Sequence, residues 1–293
     1  MTWRAWITFT ALCVVWGVPY FFIKLAVSEL SPACVAWTRI TLAAAILVPI
    51  AVRRGVLRPA LAHKGAVCAF AFAELVVPFF LIAFGEQWIS SSLAGILIAT
   101  VPLMVIVIAP WFGVHERLGM RRLMGLAIGF SGGLALLGLD PGHGPMLAAG
   151  VALLLISAVG YAIGPLVVQR HLADVDELGA LAASLVVASV VLFPIALATA
   201  PDHMPSVLAL SSVATLGIMC TAVALLLYFY LIHEPGAARA SIVAYVSPAI
   251  AAVLGVLVLH EPFGIGSLAG LIMILFGSWL ATGRSQQPAE SPA

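Results

Sequence analysis

Long apolar blocks, punctuated by short polar ones, run the length of the chain. Each block holds about 20 residues and ends at a Pro, a Gly or a charge, and that is the length an α-helix needs to cross the hydrocarbon of a bilayer. Ten such blocks are predicted, at approximately 5–27, 33–52, 65–85, 92–113, 121–139, 146–168, 178–199, 207–231, 238–259 and 264–282. The connections are short and leave no room for a separate catalytic domain. The first block follows a single Arg4. It is too long for a signal-peptide core and lacks an A-x-A cleavage site, so it reads as the first membrane helix. The tail over 284–293 is polar and Pro-containing and is expected to be disordered.

Composition agrees with this pattern. Of 293 residues, 63% are hydrophobic and only 9% charged, with a mean hydropathy of +1.17. A soluble domain carries about a quarter charged residues. The fold class expected is therefore all-α integral membrane, with the lipid bilayer as its surroundings. A net charge of +1 gives no reason to expect nucleic acid as a partner. Cys13, Cys34, Cys68 and Cys220 are scattered through apolar stretches without C-x-x-C spacing. They read as small buried hydrophobes, with no metal or disulfide role.

The distribution of charge sets an orientation. With the N-terminus inside, the inner loops and ends hold Arg4, Arg53, Arg54, Arg58, Lys64, Arg117, Arg121, Arg122, Arg170, Arg239 and Arg284, eleven of the thirteen basic residues. The outer loops hold Glu29, Glu86, Asp140, Asp202 and Glu261. Cytoplasmic loops carry such an excess of Lys and Arg, so both termini are expected in the cytoplasm of a multi-pass cell-membrane protein. An odd helix count would spoil the pattern.

The two halves resemble each other. A shift of 146 aligns Pro19 with Pro165, Lys24 with Arg170 and Pro102 with Pro248. A shift of 145 aligns His115-Glu116 with His260-Glu261, Gly125 with Gly270 and Gly132 with Gly277. Two five-helix repeats are expected, over 1–140 and 145–283, and an odd number of helices per repeat inverts the second in the membrane. Inverted repeats around a central site are a transporter design.

The chain also resembles the EamA family of the drug/metabolite transporter superfamily, over about residues 5–282. The resemblance rests on Trp16-Gly17 with Lys24, on Ser31-Pro32 with Arg39, and on Ser-Ser-Leu-Ala-Gly-Ile-Leu-Ile-Ala-Thr-Val-Pro-Leu (91–103). It continues through Glu116-Arg117-Leu118, Gly125, Ala240, Pro248, Glu261 and Gly270. It implies a 5+5 inverted repeat, a cavity lined mainly by helices 1, 3, 4, 6, 8 and 9, and export of amino acids, related metabolites or toxic compounds. The chain departs in helix 6, where Tyr161-Ala162 stands near the Trp-Ala pair of many relatives.

Glu74 is the most informative residue, because it falls near the middle of a span. A charge there costs roughly 2.5–3.5 kcal/mol on insertion scales, so it should face the protein interior or water. It reads as a binder of substrate ammonium or of a coupling proton, or else as an ion-pair partner of Arg39. Arg39, about 9 Å deep at ~1.5 Å per residue against about 16 Å for Glu74, is within reach of it. Arg39 is expected to be structural. Lys24 either snorkels to the outer interface or closes an outer gate against Glu29 or Glu86, with Arg170 at the matching inner position. Trp16, Tyr20, Tyr161, Tyr228 and Tyr245 lie on helices expected to line the cavity, where rings supply apolar and cation–π contact, or else face lipid. Pro19, Pro102, Pro165 and Pro248 are expected to kink their helices.

Gly125, Gly129 and Gly133 on helix 5, Gly266 and Gly270 on helix 10, and Gly160 and Gly164 on helix 6 follow small-x-x-x-small spacing, for close helix contact or a homodimer face. The His-Glu pairs lack the second His of a zinc motif, and no phosphate-binding loop or nucleophile motif appears. No cofactor, no metal and no enzymatic activity are expected. The expectation is a secondary carrier of a small-molecule substrate, with a passive channel or an intramembrane lipid-modifying enzyme as the alternatives.

Overall fold

The computed structural model describes residues 3–114, 119–138, 146–233 and 243–282, and all regular structure among them is helical. The long elements are α1 (Trp3–Ala26), α2 (Pro32–Arg53), α3 (Lys64–Gly85), α4 (Ser91–Phe112), α5 (Met120–Gly138), α6 (Leu147–His171), α7 (Glu177–Ala198), α8 (Val207–Leu231), α9 (Val243–Leu257) and α10 (Ile265–Thr282). A short helix, Leu57–Ala62, links α2 to α3. Eight of these helices are long and apolar enough to cross a membrane. The other two are α9, apolar but 15 residues long, and α5, 19 residues with Arg121 and Arg122 near its start. The expected start of helix 9 at 238, the Glu116-Arg117-Leu118 motif, and Arg239, Ala240 and Arg284 lie outside the described residues.

Helix starts follow capping chemistry. The hydroxyls of Ser31, Ser90 and Ser206 accept from Cys34, Leu93 and Ala209 N–H at 3.2 Å each. Each satisfies a donor the first turn would otherwise leave open. Pro32, without an N–H, occupies the first turn of α2 at no such cost.

The prolines act unequally in the two halves. α1 breaks after Gly17, just before Pro19, and α4 breaks at Ala99–Thr100, just before Pro102. α6 and α9 run unbroken through Pro165 and Pro248. Of the four prolines expected to kink their helices, Pro19 and Pro102 follow interruptions, and Pro165 and Pro248 lie inside continuous helices.

Two π-helical turns interrupt α3 and α8, at Ala71–Val76 and Ile218–Val223. They sit 147 residues apart, so Glu74 in the first matches Thr221 in the second. Such turns insert an extra residue and re-aim the side chains around them, and they recur at functional sites.

Glycine lets the helices approach closely. α5 packs along α10: a Cβ on Gly125 would lie 2.6 Å from both the Ala281 nitrogen and the Gly277 oxygen, and one on Gly132 3.0 Å from the Gly270 oxygen. The contact stripe is Gly125, Gly129 and Gly132. Gly133, expected on it, has nothing within 4 Å, because each four-residue step overshoots the ~3.6-residue turn by about 40°, which carries Gly133 off the face that Gly132 keeps. Small residues are what allows backbones this close in lipid, where no hydrophobic effect drives helices together.

Candidate functional site

The site is built where α3 meets α6. Gly160 and Gly164 leave the α6 backbone bare, and α3 settles onto it: a Cβ on Gly160 would lie 2.6 Å from the Ala73 carbonyl oxygen and 3.0 Å from Pro78 Cγ. Glu74, on the π-turn, lays its carboxyl over Gly164. A Cβ there would collide with Glu74 Oε2 and lie 3.1 Å from Glu74 Cδ. Pro78, lacking an N–H, donates nothing back to this turn. Oε2 is buried and has no hydrogen-bond partner. A carboxyl oxygen in low dielectric without a donor is costly, and a proton or a cationic donor relieves that cost.

Arg39 does not relieve it. No ion pair joins the two residues. Arg39 Nε donates to Thr221 Oγ1 at 2.8 Å, and its guanidinium lies 3.8 Å from the centroid of Phe79. Thr221 in turn donates to the Leu216 carbonyl at 2.9 Å, within the wide turn of α8. The partner sequence reasoning missed is therefore Thr221. No sequence signal points to it: the 146-residue shift pairs Glu74 with Cys220, and only the 147-residue offset of the two π-turns brings Thr221 opposite. The side chain of Arg39 is buried, 7% exposed, so the hydroxyl and the ring stand in for lost water.

Four of the five aromatic candidates gather around this pair. Phe79 meets Tyr161 edge-on at 6.5 Å, and Trp16 meets Tyr228 at 5.2 Å. Tyr161 lies within electrostatic range of both Arg39 and Glu74, Tyr20 within range of Tyr161, and Tyr228 within range of Glu74. Tyr20 also packs on α4, its ring 3.4 Å from where a Cβ on Gly95 would stand. Tyr245 departs from the group, its hydroxyl 2.7 Å from Thr282 Oγ1 at the end of α10.

The Ser91 end of α4 is tightly sealed. Lys24 Nζ donates to the Glu86 and Ile89 carbonyls at 2.6 and 2.8 Å, so its partners are backbone oxygens at the α3–α4 corner, not a carboxylate. Glu29 instead accepts from Ser206 N at 2.6 Å and Ser206 Oγ at 2.5 Å. Those bonds hold its carboxyl below the usual range. Glu261 accepts from Ser91 N at 2.7 Å, Ser92 N at 2.9 Å and Ser92 Oγ at 2.6 Å. This carboxylate thus caps α4 from the far half of the chain, at the positive end of its dipole. Arg170 is exposed and reaches over Gly113, 3.9 Å from where its Cβ would be.

A polytopic helical protein with a buried, unpartnered carboxyl in mid-span is consistent in architecture with a membrane transporter. The profile of the EamA-like transporter family matches residues 3–138 and again 148–283, and the chain belongs to that family. An Archaeoglobus fulgidus protein named as an uncharacterized transporter is 25% identical over 283 residues, 94% of this chain and 98% of its own length. The uncharacterized inner membrane transporter YedA of Escherichia coli is 29% identical, over 84% of this chain and 79% of its own. One solved crystal structure superposes with a TM-score of 0.67 at 18% identity, covering 96% of this chain and 97% of that one. The chain is therefore a multi-pass membrane transporter.

Proposed function

We propose that this transporter is a secondary carrier that exports a small amphipathic metabolite, an amino acid or a related amine, by alternating access. Its ten spans form two inverted five-helix repeats, over 1–140 and 145–283, with both termini cytoplasmic. The observation that carries the reading is Glu74: a mid-span carboxyl with a buried, unpartnered oxygen, seated on bare backbone, with Tyr161 and Tyr228 within electrostatic range and Trp16 packed against Tyr228. A substrate ammonium supplies the missing donor and the rings receive the apolar remainder.

Alternating access is supported by asymmetry between matched elements. The first half breaks at Pro19 and Pro102, whereas in the second the helices continue through Pro165 and Pro248. Two repeats of like sequence in unlike shapes are what a carrier has when one side is closed. The packing of α4 agrees: α9 packs on its first half, Ser91–Ile98, whereas α6 and α10 pack along both halves. In the proposed orientation this closes the outer end, with Lys24 and Glu261 as fastenings.

Counterflow tests the reading. Proteoliposomes loaded with an unlabelled amino acid should draw in the same labelled compound, saturably and faster than empty ones. Saturable binding without counter-stimulation refutes the carrier and favours a channel; no movement of any amino acid or amine refutes the substrate class.

A further inference from the structure

Glu86 plays no part in the site at Glu74, and its situation is unusual. It directly follows α3, at the corner where Lys24 fastens α1 to α3 and α4, and is 0% exposed. Both of its carboxyl oxygens are buried without a hydrogen-bond partner, and so is Ser91 Oγ nearby at the start of α4. Lys24 lies close, yet the two hydrogen bonds of its ammonium go to the backbone carbonyls of Glu86 and Ile89. The charged and titratable groups that face Glu86 are Lys24 and Tyr20 from α1, Arg39 from α2 and Glu261 ahead of α10. Beside it, α6 presents Gly150, Leu153 and Leu154 to Gly85.

An ionised carboxylate here has given up its water and received no donor on either oxygen, and it shares the corner with the Glu261 carboxylate. The neutral acid gives up far less on burial. A metal cation is a poor occupant, because the Lys24 ammonium already holds the two backbone carbonyls that would bind it. The remaining ligand is a proton.

We propose that Glu86 is a proton-binding site of the outer closure, filled when that end is sealed and emptied when it opens. The proposal rests on the alternating-access reading above. The step is simple: on opening, the Lys24 hydrogen bonds release the α3–α4 corner, water reaches Glu86, and its O–H gives a proton to the external medium, leaving a carboxylate. On closing, the carboxylate takes a proton from the same side. Because the proton returns to the side it came from, it drives no transport. It makes the outer gate sensitive to external pH, acid favouring closure. This is distinct from any proton carried by Glu74, which lies twelve residues earlier on α3.

The test is accessibility of Ser91→Cys to a membrane-impermeant maleimide added outside, in a variant with Cys13, Cys34, Cys68 and Cys220 replaced by Ala. Ser91 Oγ makes no hydrogen bond, so the substitution removes none. Gln87→Cys, exposed at the same corner, corrects for the chemical effect of pH on the thiol. The ratio of the two labelling rates should rise with external pH, by up to about tenfold per unit, the limit for one linked proton. It should be flat in Glu86→Gln, which is neutral at every pH. A ratio flat in the parent overturns the proposal whether or not Glu86→Gln folds, and so does a ratio that rises equally in both. The assay needs no substrate, so a failure of the proposed function at Glu74 gives a different signature: pH-dependent labelling without counterflow.

Discussion

Adding one methyl group at Gly164 separates a role for Glu74 in transport from a role in folding. The methyl of Gly164→Ala would collide with Glu74 Oε2 and lie 3.1 and 3.2 Å from Glu74 Cδ and Cβ. The atom it strikes is the free end of a flexible side chain, so the helices need not part. Overpacking in a well-filled core costs about 1–3 kcal/mol, and this substitution belongs at the low end, about 1 kcal/mol. The carboxyl, however, must leave its seat. A hydrogen bond to a charged group contributes about 1.5–3 kcal/mol. Losing it to a substrate ammonium is therefore expected to lower transport about 10- to 150-fold. Gly160→Ala is the control, because its methyl meets the Ala73 carbonyl at 2.6 Å and the Pro78 ring. That is backbone, so stability should fall by about 2–3 kcal/mol with the carboxyl untouched. The assay pairs thermal unfolding in detergent with initial rates in proteoliposomes, scaled to folded protein. Gly164→Ala should lose rate out of proportion to its stability, and Gly160→Ala the reverse. Parental rates in a folded Gly164→Ala would refute the placement of substrate at Glu74.

Three further outcomes follow from the packing. Thr221→Val keeps the shape but removes the acceptor of Arg39 Nε, and a buried donor left open costs about 1–3 kcal/mol; a lower melting temperature, restored by Thr221→Ser, checks it. Gly125→Ala forces α5 from the α10 backbone and should destabilise by about 1–3 kcal/mol, whereas Gly133→Ala, with open space around it, should be neutral or slightly stabilising; melting curves of the pair decide. The bonds from Ser206 lower the Glu29 carboxyl, so its contribution is present above the unfolded value and is lost as pH falls through the lowered one; Glu29→Gln should reduce stability at neutral pH and flatten that acid-side loss.

Much of the architecture is legible in the sequence because the bilayer imposes it. A block of about 20 apolar residues has few alternatives to a helix. The predicted boundaries at 33–52, 65–85 and 178–199 lie within two residues of α2, α3 and α7. Small-residue spacing correctly points to contact between α5 and α10, but it misassigns Gly133 because a four-residue step does not follow a 3.6-residue turn indefinitely. The side-chain partners were not legible. Lys24 satisfies itself on backbone carbonyls, and Glu29 and Glu261 on the backbone N–H and hydroxyl groups of serines at helix starts in the other half of the chain; backbone donors and acceptors have no sequence signature. The π-turns are equally silent, since an inserted residue leaves the hydrophobic pattern intact. Glu74 stood out because a mid-span charge is rare. Its freedom from Arg39 depends on Thr221, which belongs to the other half of the chain and is one residue out of register with Glu74 in the repeat read from sequence.

The central claim is that the Glu74 carboxylate holds the transported solute, and Glu74→Gln tests it most directly. The amide keeps the size of the side chain and discards the charge. In proteoliposomes that show counterflow with the parent protein, the account predicts that Glu74→Gln, folded and inserted, neither exchanges nor accumulates the solute at any pH. Normal transport by Glu74→Gln across the pH range would contradict it.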